Sequence, residues 1–145
     1  MSDLYRKSAT ECVELLQRRE VSSAELVQAS LQRIESVNPA INALPCVLSD
    51  RAMKHARKID DRRSAGKSVG VLQGLPIAVK DYNDVGGAPT TYGSPLYADY
   101  VPEQSDATVQ TLECNGAIPI AKSNVPEWAG AHTFNPVFGL SLIHI

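Results

Sequence analysis

The stretch that decides the fold of this chain is GLPIAVKD, residues 74–81. Its apolar run lies between a Gly-Leu-Pro turn and the polar sequence Asp-Tyr-Asn-Asp, which predicts a largely buried strand over Leu75 to Val79 followed by a loop. Lys80 stands at the point where this strand ends. A lysine acts as a base near neutral pH only where burial or neighbouring cations lower its pKa, so its surroundings decide whether Lys80 has a chemical role.

Further along the chain, a second apolar run also leads into a lysine. Asp106 is expected to cap a helix that ends at Gly116, and residues 117–121 are expected to form the next strand, immediately before Lys122. A strand, a crossover with a helix and another strand imply a parallel, right-handed βαβ unit.

Three helices are predicted before the first strand. Two of them begin at capping boxes of the form S-x-x-E, which are Ser8 with Glu11 and Ser22 with Glu25. The second helix is expected to stop at Asn38-Pro39, because a residue before proline disfavours helical geometry. The third is expected from Asp50 to about Arg63, with small apolar residues on one face and basic residues around the rest.

The length, charge and cysteine content limit the classes of protein to which this chain can belong. The chain has 145 residues and a formal net charge of −2, so no global field recruits nucleic acid or an anionic membrane. Its three cysteines, Cys12, Cys46 and Cys114, have no CxxC spacing and are expected to be reduced thiols. No apolar run has the length of a signal peptide core or a membrane span, which makes a cytoplasmic location the default expectation.

Four sequence blocks together resemble the amidase signature family of serine hydrolases. The blocks are GLPIAVKD at 74–81, TTYGS at 90–94, GAIPIAKSNVPEW at 116–128 and NPVFG at 135–139. They follow the order and spacing of that family, and the resemblance extends over nearly the whole chain. It implies an α/β fold with a mixed sheet between helical layers, here limited to the N-terminal helices and the first βαβ unit.

The resemblance also implies how the chain is organised. Residues 1–139 are expected to be the N-terminal part of a single amidase domain. Residues 140–145, LSLIHI, fit the family poorly, and one encoding of this hexapeptide is the end sequence of a common sequencing-library adaptor. We therefore expect a non-native read-through tail there, while a short apolar strand is the alternative.

The chemistry that the resemblance implies centres on Lys80. In the family this lysine is the general base that works with two serines, and these lie in and near a Gly-rich segment downstream of the NPVFG block. This chain would then carry the base without the serines, and would be inactive alone. The resemblance also implies that Trp128, Ala129 and Gly130 approach the acyl side of the substrate, a small-molecule amide. No metal or organic cofactor is required, and the oligomeric state is left open.

Other candidate residues have plainer interpretations. Asp81 is expected to point away from Lys80 and to bond loop amides, because successive strand residues face opposite sides. The family gives Lys122 no catalytic role. Asp81, Ser94 and His132 are residue types of a catalytic triad, but the chain lacks a G-x-S-x-G elbow and a proline follows Ser94. Trp128 would serve equally well as core filling.

Two other functions remain open from the sequence. One is the glutaminase-like component of a tRNA-dependent amidotransferase, its A chain, which resembles the same family, although NVPEWAGAH at 124–132 departs from the NMDEFAMG-like run expected there. The other is a non-catalytic interaction module that uses the basic third helix. Nucleic-acid binding by that helix is disfavoured because no aromatic residues are interleaved with its charges.

Overall fold

The structure is a computed structural model that describes residues 4–130 and 133–142. Its helices are α1 (Ala9–Gln17), α2 (Ser23–Ile41), α3 (Ser49–Ser64) and α4 (Ala107–Cys114), and its strands are β1 (Cys46–Val47), β2 (Pro76–Lys80), β3 (Ile118–Ser123), β4 (Phe134–Asn135) and β5 (Gly139–Leu140). Short 3-10 turns cover Leu4–Arg6, Pro95–Tyr97 and Glu127–Ala129.

The main sheet is mixed and has the order β1-β3-β2. Strand β3 pairs in parallel with β2 and antiparallel with β1, so the predicted α/β class and the parallel pair are confirmed. All six residues of the central strand β3 are buried. In β2, at the edge of this sheet, only Val79 is buried, so the prediction of a largely buried first strand was wrong. The edge position explains the difference, because within residues 4–130 and 133–142 β2 has a neighbouring strand on one side only.

Helices α2 and α3 pack on the central strand. Their shared cluster consists of buried apolar residues, namely Val27, Ala52, Ala56, Ile118, Ile120 and Ala121. A second cluster joins Val79 of β2 to Val109 of α4. Apolar side chains from α2, α3 and α4 therefore hold the parallel strands in place, and burial of such side chains is the main favourable term in folding.

Both predicted capping boxes are present. The Ser8 and Ser22 side chains accept from the backbone N–H three residues on, and the glutamates at those positions accept from the cap N–H in return. The predicted end of α2 was wrong, since this helix continues through Pro39 to Ile41. Its last turn is held by the side-chain amide of Asn38, which donates to the Leu44 carbonyl and accepts from the Leu44 N–H at 2.9 and 2.8 Å.

Asp106 precedes α4 as predicted, but its carboxylate does not cap the helix. It accepts from the side chain of Asn83 at 3.1 Å and from the Asp84 N–H at 3.0 Å. Asp106 therefore ties the start of α4 to the loop that follows β2.

Candidate active site

Lys80 is the last residue of β2, and its side chain is exposed. Its ammonium nitrogen lies 5.1 Å from the ring centroid of Tyr82, an attractive cation–π distance. Within the described ranges, the ammonium of Lys80 has no carboxylate partner. The amine is therefore open to water and to an incoming group.

Lys122 lies in the adjacent strand and has the opposite environment. Its side chain is fully buried, and its ammonium donates to the Asn83 carbonyl at 2.6 Å and to the Thr90 hydroxyl at 2.7 Å. Asp81 Oδ1 lies 3.4 Å away as the counter-ion. Burial lowers the pKa of the Lys122 ammonium below its ordinary value, while the Asp81 charge opposes that shift. The ammonium makes two hydrogen bonds and one ion pair inside the fold, which are the contacts of a structural group.

Asp81 fixes the chain immediately after Lys80. Its Oδ2 accepts from the N–H and the hydroxyl of Thr91, at 3.1 and 2.5 Å. Its own N–H donates to the Ser123 carbonyl, and its carbonyl accepts from the N–H of Tyr92. The predicted bonding of Asp81 to a loop amide is thus confirmed, and the loop is anchored both to β3 and to the turn at 90–94.

A buried asparagine joins the other two blocks to this turn. The Asn135 amide donates to Asn124 Oδ1 and to the Val125 carbonyl, at 2.6 and 2.8 Å, and its oxygen accepts from two following N–H groups. Gly93 packs against the same segment with φ +66°, and a Cβ there would lie 2.9 Å from the Val125 carbonyl oxygen. The turn at 90–94 and the segments 124–127 and 135–138 consequently form one rigid unit beside Lys80.

Trp128 lies on the outside of this unit. Its backbone N–H donates to the Tyr92 carbonyl at 2.8 Å, and its ring stacks on the Tyr92 ring with a centroid distance of 5.2 Å. The side chain remains 55% exposed, so Trp128 is not part of the core that the described residues form. Ala129 and Gly130 are also exposed. The three residues predicted to contact substrate therefore form an exposed surface. Two backbone hydrogen bonds connect this surface to the end of β2: one from Trp128 to Tyr92, and one from Tyr92 to Asp81.

The residues of a possible triad are not arranged for that role. Asp81 is already engaged by Thr91 and Lys122, and Ser94 is fully buried with its hydroxyl lacking a hydrogen-bond partner. His132 lies outside the described residues. In residues 4–130 and 133–142, no cluster of three His, Cys, Asp or Glu side chains suits a metal ion. In that same part of the chain, no helix has the length and apolar character that a bilayer span requires.

Sequence reasoning did not identify the partners of Lys122. Asn83 and Thr90 hold its ammonium, yet they come from a loop and a turn rather than from the strands. The available signal was the pair of consecutive threonines at 90–91. The Thr90 hydroxyl accepts from Lys122, and the Thr91 hydroxyl donates to Asp81.

Comparison with known proteins agrees with this geometry. The profile of the family described as Amidase matches residues 25–141. The glutamyl-tRNA(Gln) amidotransferase A chain of Acidothermus cellulolyticus is 39% identical over 140 residues, and indoleacetamide hydrolase of Bradyrhizobium diazoefficiens is 35% identical over 140 residues. These alignments cover 96% of this chain but only 28% and 27% of those proteins.

A solved structure of fatty acid amide hydrolase superposes with a TM-score of 0.87 at 26% identity. The match covers 95% of this chain and 25% of that one. The chain thus spans between a quarter and a third of the length of the curated relatives that it matches.

Proposed function

This chain belongs to the amidase signature family, and from that premise we propose that the complete protein hydrolyses the C–N bond of a carboxamide. A serine supplied by the rest of the protein attacks the carbonyl carbon, the C–N bond breaks, and water then releases the acyl group from the serine. Lys80 takes the proton of the nucleophile through a second serine and returns it to the departing amine.

The observation that supports this role is the contrast between two strand-end lysines. Lys122 is buried with its ammonium held by two acceptors and a carboxylate, whereas the ammonium of Lys80 is exposed at the end of β2, next to an anchored loop. A general base needs an amine that the nucleophile can reach, and Lys80 meets this condition, while the burial that a basic lysine requires would come from the rest of the complete protein. We further propose that Trp128, Ala129 and Gly130 contact the acyl part of the substrate.

Substitution of Lys80 in the complete protein tests the proposal. Lys80→Ala and Lys80→Arg should each lower kcat by about 10²–10⁴, since arginine keeps the positive charge but does not release its proton. Lys67→Ala, which removes another exposed lysine, is the matched control and should leave kcat unchanged. Near-normal turnover in Lys80→Arg, with Lys67→Ala also active, would exclude Lys80 as the base.

The 145-residue chain alone is expected to hydrolyse no amide above background, because a base without a nucleophile forms no acyl intermediate. Incubation of this chain with simple aliphatic and aryl amides, followed by assay of released ammonia or amine, checks the expectation. Turnover that disappears in Ser94→Ala would contradict it and restore the local triad.

A second candidate function is that of the glutaminase-like A chain of a tRNA-dependent amidotransferase. It is favoured by the 39% identity to such a protein over nearly the whole chain. The departures in residues 124–132 favour a free-standing amidase instead. Purification of the complete protein separates the two, because the amidotransferase component should copurify with its partner proteins and use glutamine as its amide.

A non-catalytic interaction module has less support from the contacts of α3. Arg51 donates to the Gly86 carbonyl and pairs with Glu113 at 2.9 Å, and Arg62 donates to the Ser68 carbonyl. Part of the basic content of this helix is therefore used inside the fold and is not free for a nucleic acid or a protein partner.

A further inference from the structure

Lys122 has no step in the proposed reaction, yet its ammonium lies against the turn that begins at Lys80. This turn covers residues 80–83 and is closed by a bond from the Asn83 N–H to the Lys80 carbonyl, at 2.9 Å. In the parallel ladder, Lys122 pairs with Val79, the residue immediately before Lys80. The buried lysine is therefore a direct strand neighbour of the segment that carries the exposed one.

The ammonium of Lys122 joins two points of this turn to a third point on the following loop. It donates to the Asn83 carbonyl at 2.6 Å, at the far end of the turn, and its charge pairs with Asp81 Oδ1 at 3.4 Å. It also donates to the Thr90 hydroxyl at 2.7 Å. Lys122 thus ties the turn to the central strand and to the loop that follows.

These contacts form inside the fold and do not depend on what covers its surface. The exposed fraction is 0% for Lys122 and Thr90 and 1% for Asp81. Hydrogen bonds from a charged donor are stronger than those between neutral groups, and the low dielectric of a buried site strengthens them further. The position of the turn is therefore set by buried contacts within this chain.

Stability alone does not explain a buried ammonium at this position. Taking the two charges of an ion pair out of water costs much of what their attraction returns, so apolar side chains of similar size often serve a core as well. An apolar side chain could fill the space of Lys122 but could not hold the Asn83 carbonyl or the Asp81 carboxylate in place. What the ammonium adds is a fixed geometry for the residues that follow Lys80.

From these contacts we infer that Lys122 is a positioning residue for the reaction, because it holds the turn from which Lys80 extends. The inference rests on the proposed function, in which Lys80 is the base, and deepens it by naming what sets the base in place. A shift of about 1 Å in a reacting group can cost about 10²-fold in rate, so a loosened turn should lower kcat. Lys122 is buried and is not among the residues proposed to contact substrate, so KM should not change.

Substitutions of Thr90 in the complete protein test the inference, because Lys122→Met leaves Asp81 unpaired and is expected to destabilise the fold. Thr90→Val removes the hydroxyl that accepts from Lys122 and keeps the shape of the side chain, whereas Thr90→Ser keeps the hydroxyl. We expect Thr90→Val to lower kcat per folded molecule by about 10- to 100-fold at unchanged KM, and Thr90→Ser to restore it. Thr111→Val is the matched control, since the Thr111 hydroxyl bonds the Ala107 carbonyl within α4, and it should keep the wild-type kcat.

A kinetic cycle with Lys80→Ala shows whether the effect acts through the base. When Thr90→Val is added to Lys80→Ala, the residual kcat should fall no further, since the group that the turn positions is gone. A further loss as large as that in the chain with Lys80, or a normal kcat in Thr90→Val, would overturn the inference. Full activity of Lys80→Ala would instead remove the proposed function, and the inference with it.

Hydrogen exchange of the complete protein follows the turn without reference to activity. The backbone N–H groups of residues 81, 83 and 84 are hydrogen-bonded. In peptides analysed by mass spectrometry, these groups should exchange faster in Thr90→Val than in Thr90→Ser or wild type. Equal exchange in all three proteins would show that the ammonium does not hold the turn, and would overturn the inference even where Lys80 proves to be the base.

Discussion

Lys80 and Lys122 both end apolar runs in two paired parallel strands, but their side chains meet opposite surroundings. Lys122 belongs to the central strand, where every residue is buried; Asp81 balances its charge, and Asn83 and Thr90 accept its hydrogen bonds. Lys80 belongs to the edge strand, and its ammonium lies 5.1 Å from the Tyr82 ring with no carboxylate partner among the described residues. The same local sequence pattern therefore yields a structural ion pair in one strand and a reachable amine in the next.

The difference follows from the cost of burying charge. A buried ammonium without partners is too unfavourable to persist, so the fold surrounds Lys122 with acceptors and leaves it no capacity for chemistry. An exposed ammonium carries no such requirement, so Lys80 needs no buried acceptor within the described residues. Burial of a lysine therefore does not by itself make it a candidate base, and the contacts of its ammonium must be considered as well.

The largest expected effect concerns stability. Lys122→Met should lower the free energy of unfolding by about 3–5 kcal/mol, because it leaves the Asp81 charge buried and unpaired. Lys80→Met removes the same group from an exposed site and should change it by no more than about 0.5 kcal/mol. Denaturant unfolding of the two variants measures both values. Similar losses in the two would show that the ends of the strands are not as different as their contacts indicate.

The next effect tests whether Asp81 is the source of that loss. Asp81→Asn added to Lys122→Met removes the unpaired charge and keeps the shape of the side chain. The double variant should therefore lose less unfolding free energy than the sum of the losses in the two single variants, by about 0.5–3 kcal/mol. A double-mutant cycle in the same denaturant provides the measurement, and strict additivity would mean that the two side chains are not coupled.

Local sequence signals predicted the helix starts and the two strands that carry Lys80 and Lys122. Glu11 and Glu25 complete real capping boxes, and the apolar runs before the two lysines are real strands. Each of these features depends on residues within a few positions of one another. The position of Lys80 at a strand end and the bond of Asp81 to a loop amide could be predicted for the same reason.

The burial of each lysine could not be predicted in this way, because it depends on which strand is central. Strand β1, at Cys46–Val47, makes β3 central by pairing with its far side, and two residues give too short a pattern to recognise. The continuation of α2 through Pro39 likewise depends on bonds from Asn38 to Leu44 beyond the helix.

The catalytic assignment of Lys80 and the non-native origin of residues 140–145 stay predictions. Of that last segment, Ser141 and Leu142 donate backbone bonds to Thr133 and Ile41.

A third effect, of intermediate size, concerns the glycine that joins the turn after Lys80 to the segment after Lys122. Gly93→Ala places a Cβ 2.9 Å from the Val125 carbonyl oxygen and 3.0 Å from the Glu127 nitrogen, at φ +66°. Gly87→Ala is the matched control, since it has φ +74° but open space around its Cβ. Both should lose about 1–2 kcal/mol to the left-handed backbone, and Gly93→Ala should lose about 1–3 kcal/mol more through crowding. Equal losses would mean that the two segments separate at little cost.

The smallest effect is a pH dependence at the Lys80 end. Desolvation, followed by the bond to Asp84, raises the pKa of the Tyr92 hydroxyl above its ordinary value of 10.0. The folded chain therefore keeps this proton after the unfolded chain has released it. The stability contributed by Tyr92 is complete below about pH 10 and is lost as the pH rises towards the folded pKa.

Tyr92→Phe removes this titration and leaves the ring that stacks on Trp128. Between about pH 8 and about pH 11, the free energy of unfolding should fall more in wild type than in Tyr92→Phe, by at most about 1.4 kcal/mol. This limit applies because one proton changes the free energy of unfolding by at most about 1.4 kcal/mol for each pH unit above the unfolded pKa, and pH 11 is about one unit above it. Solvent screening of this partly exposed group reduces the difference further. Denaturant unfolding at the two pH values measures it, and the titrations common to both chains cancel in the comparison. Parallel losses would show that the Tyr92 proton does not stabilise the turn behind Lys80, leaving the buried Asp81 pair as the main anchor of that loop.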